Sequence, residues 1–110
     1  MRIEKATEQR QVHYEALIKR APSGSEIEFI FNSDGSLDST EERLSIQELP
    51  VSVQKASKAA VGNGNISAAE RRIKGGTITY EVGYRSSKGQ DCEAVFALGG
   101  KLVKNGTDTD

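Results

Sequence analysis

Two stretches of this 110-residue chain carry the same pattern 65 or 66 positions apart. Tyr14-Glu15 recurs as Tyr80-Glu81 at an offset of 66. Past the first turn the offset is 65, which carries Gly24 to Gly89, Glu26 to Asp91, Glu28 to Glu93, Phe31 to Phe96, Gly35 to Gly100 and Leu37 to Leu102. The one-residue change falls in a turn, where a change of length is tolerated. Such a repeat restricts the fold to what one small unit, used twice, can build. We read 10–38 and 66–103 as copies of one hairpin unit within a single domain, 1–104, with a flexible polar tail at 105–110.

Within each copy the apolar residues alternate at period two, the mark of a strand with one buried face. Val12, Tyr14, Ala16 and Ile18 share a face in 11–20, and Ile27, Phe29 and Phe31 do so in 26–32. In the second copy, Ile78, Tyr80, Val82 and Tyr84 share a face in 77–86, and Cys92, Ala94, Phe96 and Leu98 in 91–98. Turn residues separate them: Ala21-Pro22-Ser23-Gly24, Ser33-Asp34-Gly35, Ser86-Ser87-Lys88-Gly89 and Gly99-Gly100. Weaker strands precede each pair, at 3–8 and 66–74, and short ones holding Leu37 and Leu102 follow. One helix is expected over Pro50–Val61. Proline suits its first position, Leu49, Val53, Ala56 and Ala60 form its apolar stripe, and Gly62 and Gly64 end it. The expected fold is α+β: an antiparallel sheet of about six strands with one helix packed on one face.

Charge and rare residues exclude several functions. Fifteen Lys and Arg against sixteen Asp and Glu leave a net charge of −1, too little field to draw nucleic acid. No apolar run approaches the ~18 residues of a membrane span. The single Cys, Cys92, rules out an internal disulfide, and with the single His, His13, it cannot supply the usual zinc ligand set. The opening MRIEKATEQR lacks the apolar segment of a signal peptide. The expected location is the periplasm or cell envelope if a signal peptide has been removed, and the cytoplasm otherwise.

Candidate chemistry thins out on inspection. With Ile30 as position one, Asn32, Asp34, Gly35, Asp38 and Glu41 take positions three, five, six, nine and twelve of an EF-hand loop. Position one then holds an apolar residue inside a strand, so the segment reads as a hairpin turn with solvated acids. Glu26 and Glu28 share a strand face with Glu15 across the hairpin, and Asp91, Glu93 and Glu81 repeat that arrangement. Paired carboxylates can perform acid–base catalysis, but only in a pocket that shifts their pKa values. An open sheet face interleaved with Lys19, Thr79 and Arg85 provides none, and His13 on that face has no partner at motif spacing. Cys92 falls at a core position, where a thiol acts as a small hydrophobe. Tyr14, Tyr80 and Tyr84 read as core under the helix. Arg71, Arg72 and Lys74 read as a solvated strand edge. The sequence holds no catalytic set, and we expect neither enzyme activity, metal nor cofactor.

The Leu49-Pro50 helix start, the basic body Lys55-Ala56-Ser57-Lys58-Ala59, the strand Tyr80-Glu81-Val82 and the terminal Gly100-Lys101-Leu102 together resemble the PepSY-like, or β-lactamase-inhibitor-like, domain family. Residues 46–104 match one unit, and 14–37 match the strand portion of another. Asp34-Gly35 keeps the Asp-Gly that precedes the last strand in such proteins, and Gly99-Gly100 departs from it. The resemblance implies a helix-on-sheet module, usually bacterial and exported, that binds or inhibits other proteins.

Leu17, Ile30 and Val95 fall on the polar faces of their strands, and Ile30 maps onto Val95 at offset 65. Apolar spots among Glu15, Glu28, Glu81 and Glu93 mark either an interaction surface or positions buried by a neighbouring strand, a loop or a second subunit. The expected function is protein binding or inhibition through the free face or edge of the sheet. The alternative is a structural role, in which a homodimer covers the sheet.

Overall fold

A computed structural model describes residues 2–8, 11–20 and 25–107, with side chains at 14–18 and 26–107. The first turn, 21–24, and the side chains of Val12, His13 and Lys19 lie outside the described residues. The rest forms one antiparallel sheet whose eight strands lie side by side in chain order. The strands are β1 (Arg2–Glu8), β2 (Gln11–Arg20), β3 (Ser25–Phe31), β4 (Leu37–Leu44), β5 (Asn65–Lys74), β6 (Thr77–Arg85), β7 (Asp91–Ala97) and β8 (Leu102–Thr107). One helix, α1 (Val51–Val61), interrupts the meander between β4 and β5.

The expected six strands are therefore eight. The two that alternation understates are β4, Leu-Asp-Ser-Thr-Glu-Glu-Arg-Leu, and β8, Leu-Val-Lys-Asn-Gly-Thr. Both are mostly polar, and apart from Leu44 of β4, which joins the core, their backbone partners rather than an apolar face hold them in the sheet. The tail is shorter than expected for the same reason. Residues 105–107 belong to β8, and the Tyr84 hydroxyl donates to Asn105 Oδ1 at 2.7 Å.

The pairing registers of the two halves coincide when the sequence offset is applied. Tyr14 faces Phe31 as Tyr80 faces Phe96, Glu15 faces Ile30 as Glu81 faces Val95, and Ile18 faces Ile27 as Tyr84 faces Cys92. The register shift between Ile30 and Phe31 recurs between Val95 and Phe96. The turns match as well: Gly35 N–H donates to the Asn32 carbonyl, and Gly100 N–H donates to that of Ala97. Both glycines take positive φ, 90° and 92°, which a side chain would strain.

The connection to α1 is locally determined. Ser45 N–H donates to Glu48 Oε1 at 2.9 Å, closing a single 3-10 turn, Ile46–Glu48. Pro50 then precedes the helix without wasting a donor, and Gly62 N–H ends it on the Lys58 carbonyl. Val53 and Ser57 are the fully buried helix positions, and the Ser57 hydroxyl satisfies itself on the Val53 carbonyl at 2.7 Å. This small stripe lets α1 lie on β6 and β7. Beneath it sits the core: Val53, Leu49 and Leu44 against Tyr80, Val82, Tyr84, Cys92, Ala94 and Phe96. Each large apolar side chain so buried contributes about 1.5–3 kcal/mol.

That core serves only half of the sheet. Tyr14 was expected under the helix with Tyr80 and Tyr84; it is 39% exposed, whereas Tyr80 is 4% exposed. Ile18 is 38% exposed, against 7% for its counterpart Tyr84. The physical reason is that α1 packs on β6 and β7, whereas on the same face of β2 and β3 Ala16 is buried, Ile27, Phe29 and Phe31 are half-buried, and Tyr14 and Ile18 stay exposed. Leu98, expected inside, lies beyond the end of β7 in the turn and is 53% exposed.

Candidate functional site

The face of the sheet opposite α1 carries the residues singled out from the sequence. Period-two alternation sends Leu17, Glu28, Glu41, Arg72 and Thr79 to one cross-strand row, and Glu26, Arg43, Glu70, Glu81 and Val95 to the next. Glu15, Ile30, Ser39 and Lys74 form a third. Among the described residues, none packs over this face as α1 does over the other.

Leu17 and Ile30 are neighbours. Leu17 pairs with Glu28 and Ile30 with Glu15, so the two apolar side chains meet on a diagonal, roughly 7–8 Å apart at the backbone. Leu17 also borders a shallow depression lined by Glu26, Glu28, Glu41, Arg43 and Glu70. Val95 stands apart. It lies four strands from Ile30, about 19 Å at the usual strand spacing, and its own partners are Glu81 and Lys104. The structure thus places two of the three expected anchors together and the third beyond an intervening charged field. Glu93 lies next to Val95 on this face, opposite Gly83.

That field is more acidic than the sequence suggested. Glu70 sits directly opposite Glu81, and Glu28 directly opposite Glu41. Like charges facing each other across strands destabilise a sheet. Burial, followed by the charge of Glu41, pushes the Glu70 carboxyl above its ordinary value, with Arg43 acting against the shift. Burial also raises Glu81, reinforced by Glu93, Glu70 and Glu41 and opposed by Arg72. Arg72 lies between the acids, with Nε 3.9 Å from Glu41 Oε1 and Nη1 4.0 Å from Glu81 Oε1. At those distances it moderates the repulsion without locking either carboxylate.

The arginines were expected at a solvated edge, and this is corrected: β5 is an interior strand between β4 and β6. Alternation sends Arg72 to the acidic face and Arg71 to the α1 side. There Arg71 Nη2 donates to Glu42 Oε1 of β4. Glu42 is buried, and its pairing with Arg71 offsets part of the cost of that burial. Sequence reasoning missed this pair, because Glu41-Glu42-Arg43 shows three charges in a row and no alternation. The cross-strand order of Glu41, Arg43 and Glu70 was missed for the same reason.

The turn tested as a calcium loop is committed to its own hydrogen bonds. Asp34 Oδ1 accepts from Ser36 N–H at 2.9 Å and from the Ser36 hydroxyl at 2.6 Å, which holds its carboxyl below the ordinary value. Glu41, at position twelve of that spacing, belongs to β4 and the row of Arg72. Cys92 is buried under α1, as its strand position implies.

No helix among the described residues is long and apolar enough to cross a membrane. No family model matches the chain, and no curated protein matches it. Solved structures do. A DUF2874 family protein of Bacteroides ovatus superposes with a TM-score of 0.80 at 15% identity, over 96% of this chain and 74% of its own. A BLIP-like protein of Bacteroides fragilis gives 0.79 at 23% identity, over 100% of this chain and 77% of its own. A supposed periplasmic protein of Bacteroides eggerthii gives 0.79 at 12% identity, over 96% of this chain and 76% of its own. At these identities the likeness establishes a shared fold: a broad antiparallel sheet carrying a helix, of the BLIP-like kind.

Proposed function

We propose that this chain is a non-enzymatic protein-binding, inhibitor-like module of the bacterial envelope, and that it binds through the sheet face opposite α1. The observation that carries this is the facing of Glu70 on Glu81 and of Glu28 on Glu41 beside the Leu17–Ile30 pair. Repulsion of the kind that raises the Glu70 and Glu81 carboxyls weakens the free protein and is relieved when cations arrive. A partner with a basic rim and an apolar centre therefore fits. The glutamates, Glu15 and Glu93 included, steer its approach, and Leu17 and Ile30 anchor it. Val95 marks a separate contact at the far end. The periplasmic neighbour and the BLIP-like neighbour support the compartment and the class of function as analogies of fold. The coincident registers support reading the two halves as copies of one unit.

The test is capture from envelope and cytosolic extracts by the wild-type chain, with Ile30→Lys, Val95→Lys and their combination as controls. A partner from the envelope fraction, lost on Ile30→Lys and released by salt, is the expected result. Retention of every partner by Ile30→Lys would remove the surface from consideration. A second reading, that the chain dimerises to cover its sheet, draws on the exposure of Tyr14 and Ile18 on the other face. Sedimentation at high concentration separates the two, because a strict monomer excludes the dimer.

A further inference from the structure

The two sides of the sheet carry opposite charge, although the chain as a whole is nearly neutral. On the side opposite α1, Glu28, Glu41, Glu70 and Glu81 outnumber Arg43 and Arg72 beside the Leu17–Ile30 pair. On the other side, α1 contains two lysines and no acid. Val51, Lys55 and Lys58 fall on one stripe at helical spacing, and all three are exposed. The turn between β7 and β8 lies against the start of this helix. The Ser52 hydroxyl approaches the Leu98 carbonyl at 3.5 Å, and a Cβ on Gly100 would come within 2.7 Å of the Ser52 carbonyl. That contact sets Leu98 and Lys101 beside the first turns of α1, and the turn itself, Leu98-Gly99-Gly100-Lys101, holds no acid. Val51 and Leu98 are each more than half exposed. The result is a small apolar centre bordered by lysines, on an internal helix and turn that packed backbone holds together.

We propose that a second copy of this chain docks head to tail, its Val51–Leu98 patch on the Leu17–Ile30 pair and its Lys55, Lys58 and Lys101 against the glutamates. The inference rests on the reading of the glutamate face as a binding surface and names an occupant for it. Charge complementarity carries it: the basic patch with an apolar centre that this face fits is present on the chain itself. The match is made only between copies, because patch and glutamates lie on opposite sides of one sheet. The scale agrees as well. Val51 and Lys55 stand one turn apart, about 6 Å along the helix, close to the roughly 7–8 Å between Leu17 and Ile30. Such a contact joins two different surfaces and differs from a symmetric dimer through Tyr14 and Ile18. With its two surfaces on opposite sides it does not close, so copies add in a row.

Sedimentation equilibrium of the intact chain at about 50 mM and about 500 mM salt tests this. At low salt the average mass should keep rising with concentration beyond two copies, and the association constant should fall at least about tenfold at high salt. Lys55→Glu with Lys101→Glu, both at exposed positions, should abolish the association, and so should Ile30→Lys. An equimolar mixture of the two variants should associate again and stop at two copies, because each retains one working surface. That recovery also shows that both variants fold. A strict monomer at high concentration overturns the proposal, while the reading of the glutamate face itself fails only if Ile30→Lys leaves extract capture intact. Association that survives Lys55→Glu with Lys101→Glu overturns the proposal as well, since the copies would then meet through another face. So does a chain that stays monomeric and uses Lys55 and Lys101 to bind phosphatidylserine vesicles.

Discussion

Phe31 and Phe96 are the same residue at equivalent places, one without a helix over it and one with. Phe96 is 1% exposed, among the most buried side chains of the core beneath α1. Its truncation to alanine removes the transfer free energy and leaves a cavity walled by neighbours that α1 holds in place. Such changes cost about 3–5 kcal/mol. Phe31 makes the same backbone pairing, Tyr14↔Phe31 for Tyr80↔Phe96, yet is only partly buried. Phe31→Ala removes a fraction of the ~1.5–3 kcal/mol of full burial, and solvent fills the space, so about 1 kcal/mol is expected. Urea denaturation measures both. If m is unchanged, the shifts in midpoint stand in the ratio of the two costs, about three to one or more. Equal shifts would refute the reasoning, because they would mean that Phe31 is covered in solution or that α1 adds nothing to Phe96. A dilution series separates those causes, since cover by a second copy weakens on dilution and cover within the chain does not.

Arg71→Met removes the guanidinium that Glu42 accepts from on β5 and should cost up to about 3 kcal/mol, the low end of the usual range because the Arg71 side chain is 36% exposed. Glu42→Leu combined with Arg71→Leu should recover most of that, as read by thermal melting. Glu70→Gln and Glu81→Gln should each stabilise the chain at pH 7 by about 0.2–1 kcal/mol, since each removes one of two facing like charges. The sign with pH follows: both carboxyls are raised in the folded state, so their contribution to stability is fully present below their ordinary value of 4.5 and is lost as pH climbs through the raised values. Melting at pH 5 and pH 7 should show that fall in wild type and a smaller one in each variant; a variant less stable than wild type at pH 7 would contradict it. Gly100→Ala should destabilise more than Gly35→Ala, because both strain a positive φ and only the first drives a methyl against the Ser52 carbonyl.

What could be read from the sequence was set by how many neighbours each residue depends on. The strands β2, β3, β6 and β7 announce themselves because their inner faces are apolar and alternate, a property of a single strand. The helix is legible from Pro50, its stripe and Gly62 for the same reason. β4 and β8 are not, since a strand such as Leu37–Leu44 is held by β3 and β5 on either side, and its own charges fall on both faces. The acidic face shows the same division. Glu15, Glu28, Glu81 and Glu93 were placed correctly by alternation within their strands. Their meeting with Glu41, Glu70, Arg43 and Arg72 depends on pairings through β4 and β5, whose register no local pattern specifies.

The offset that shaped the sequence reading also explains why exposure differs so much between the halves. Pairing within a sheet is a backbone property, and two segments with the same turns and the same alternation reach the same registers whether or not a helix follows. Burial is not transmitted in that way, because it depends on whatever occupies the space above. Tyr14 and Tyr80 are alike in partner and register, yet differ in exposure from 39% to 4%. The helix packs on the strands that carry Tyr80 and its neighbours, β6 and β7. Faces of this kind are retained at a cost in stability, since apolar area left in water forgoes about 25 cal/mol for every Å². A chain that keeps Tyr14, Ile18, Phe29 and Phe31 on such a face, and faces its glutamates across strands on the other, gives up stability on both sides of one sheet. A partner that brings cations to the glutamate face is expected to recover part of that loss. Salt should therefore weaken capture through the glutamate face, and capture indifferent to salt would refute that assignment.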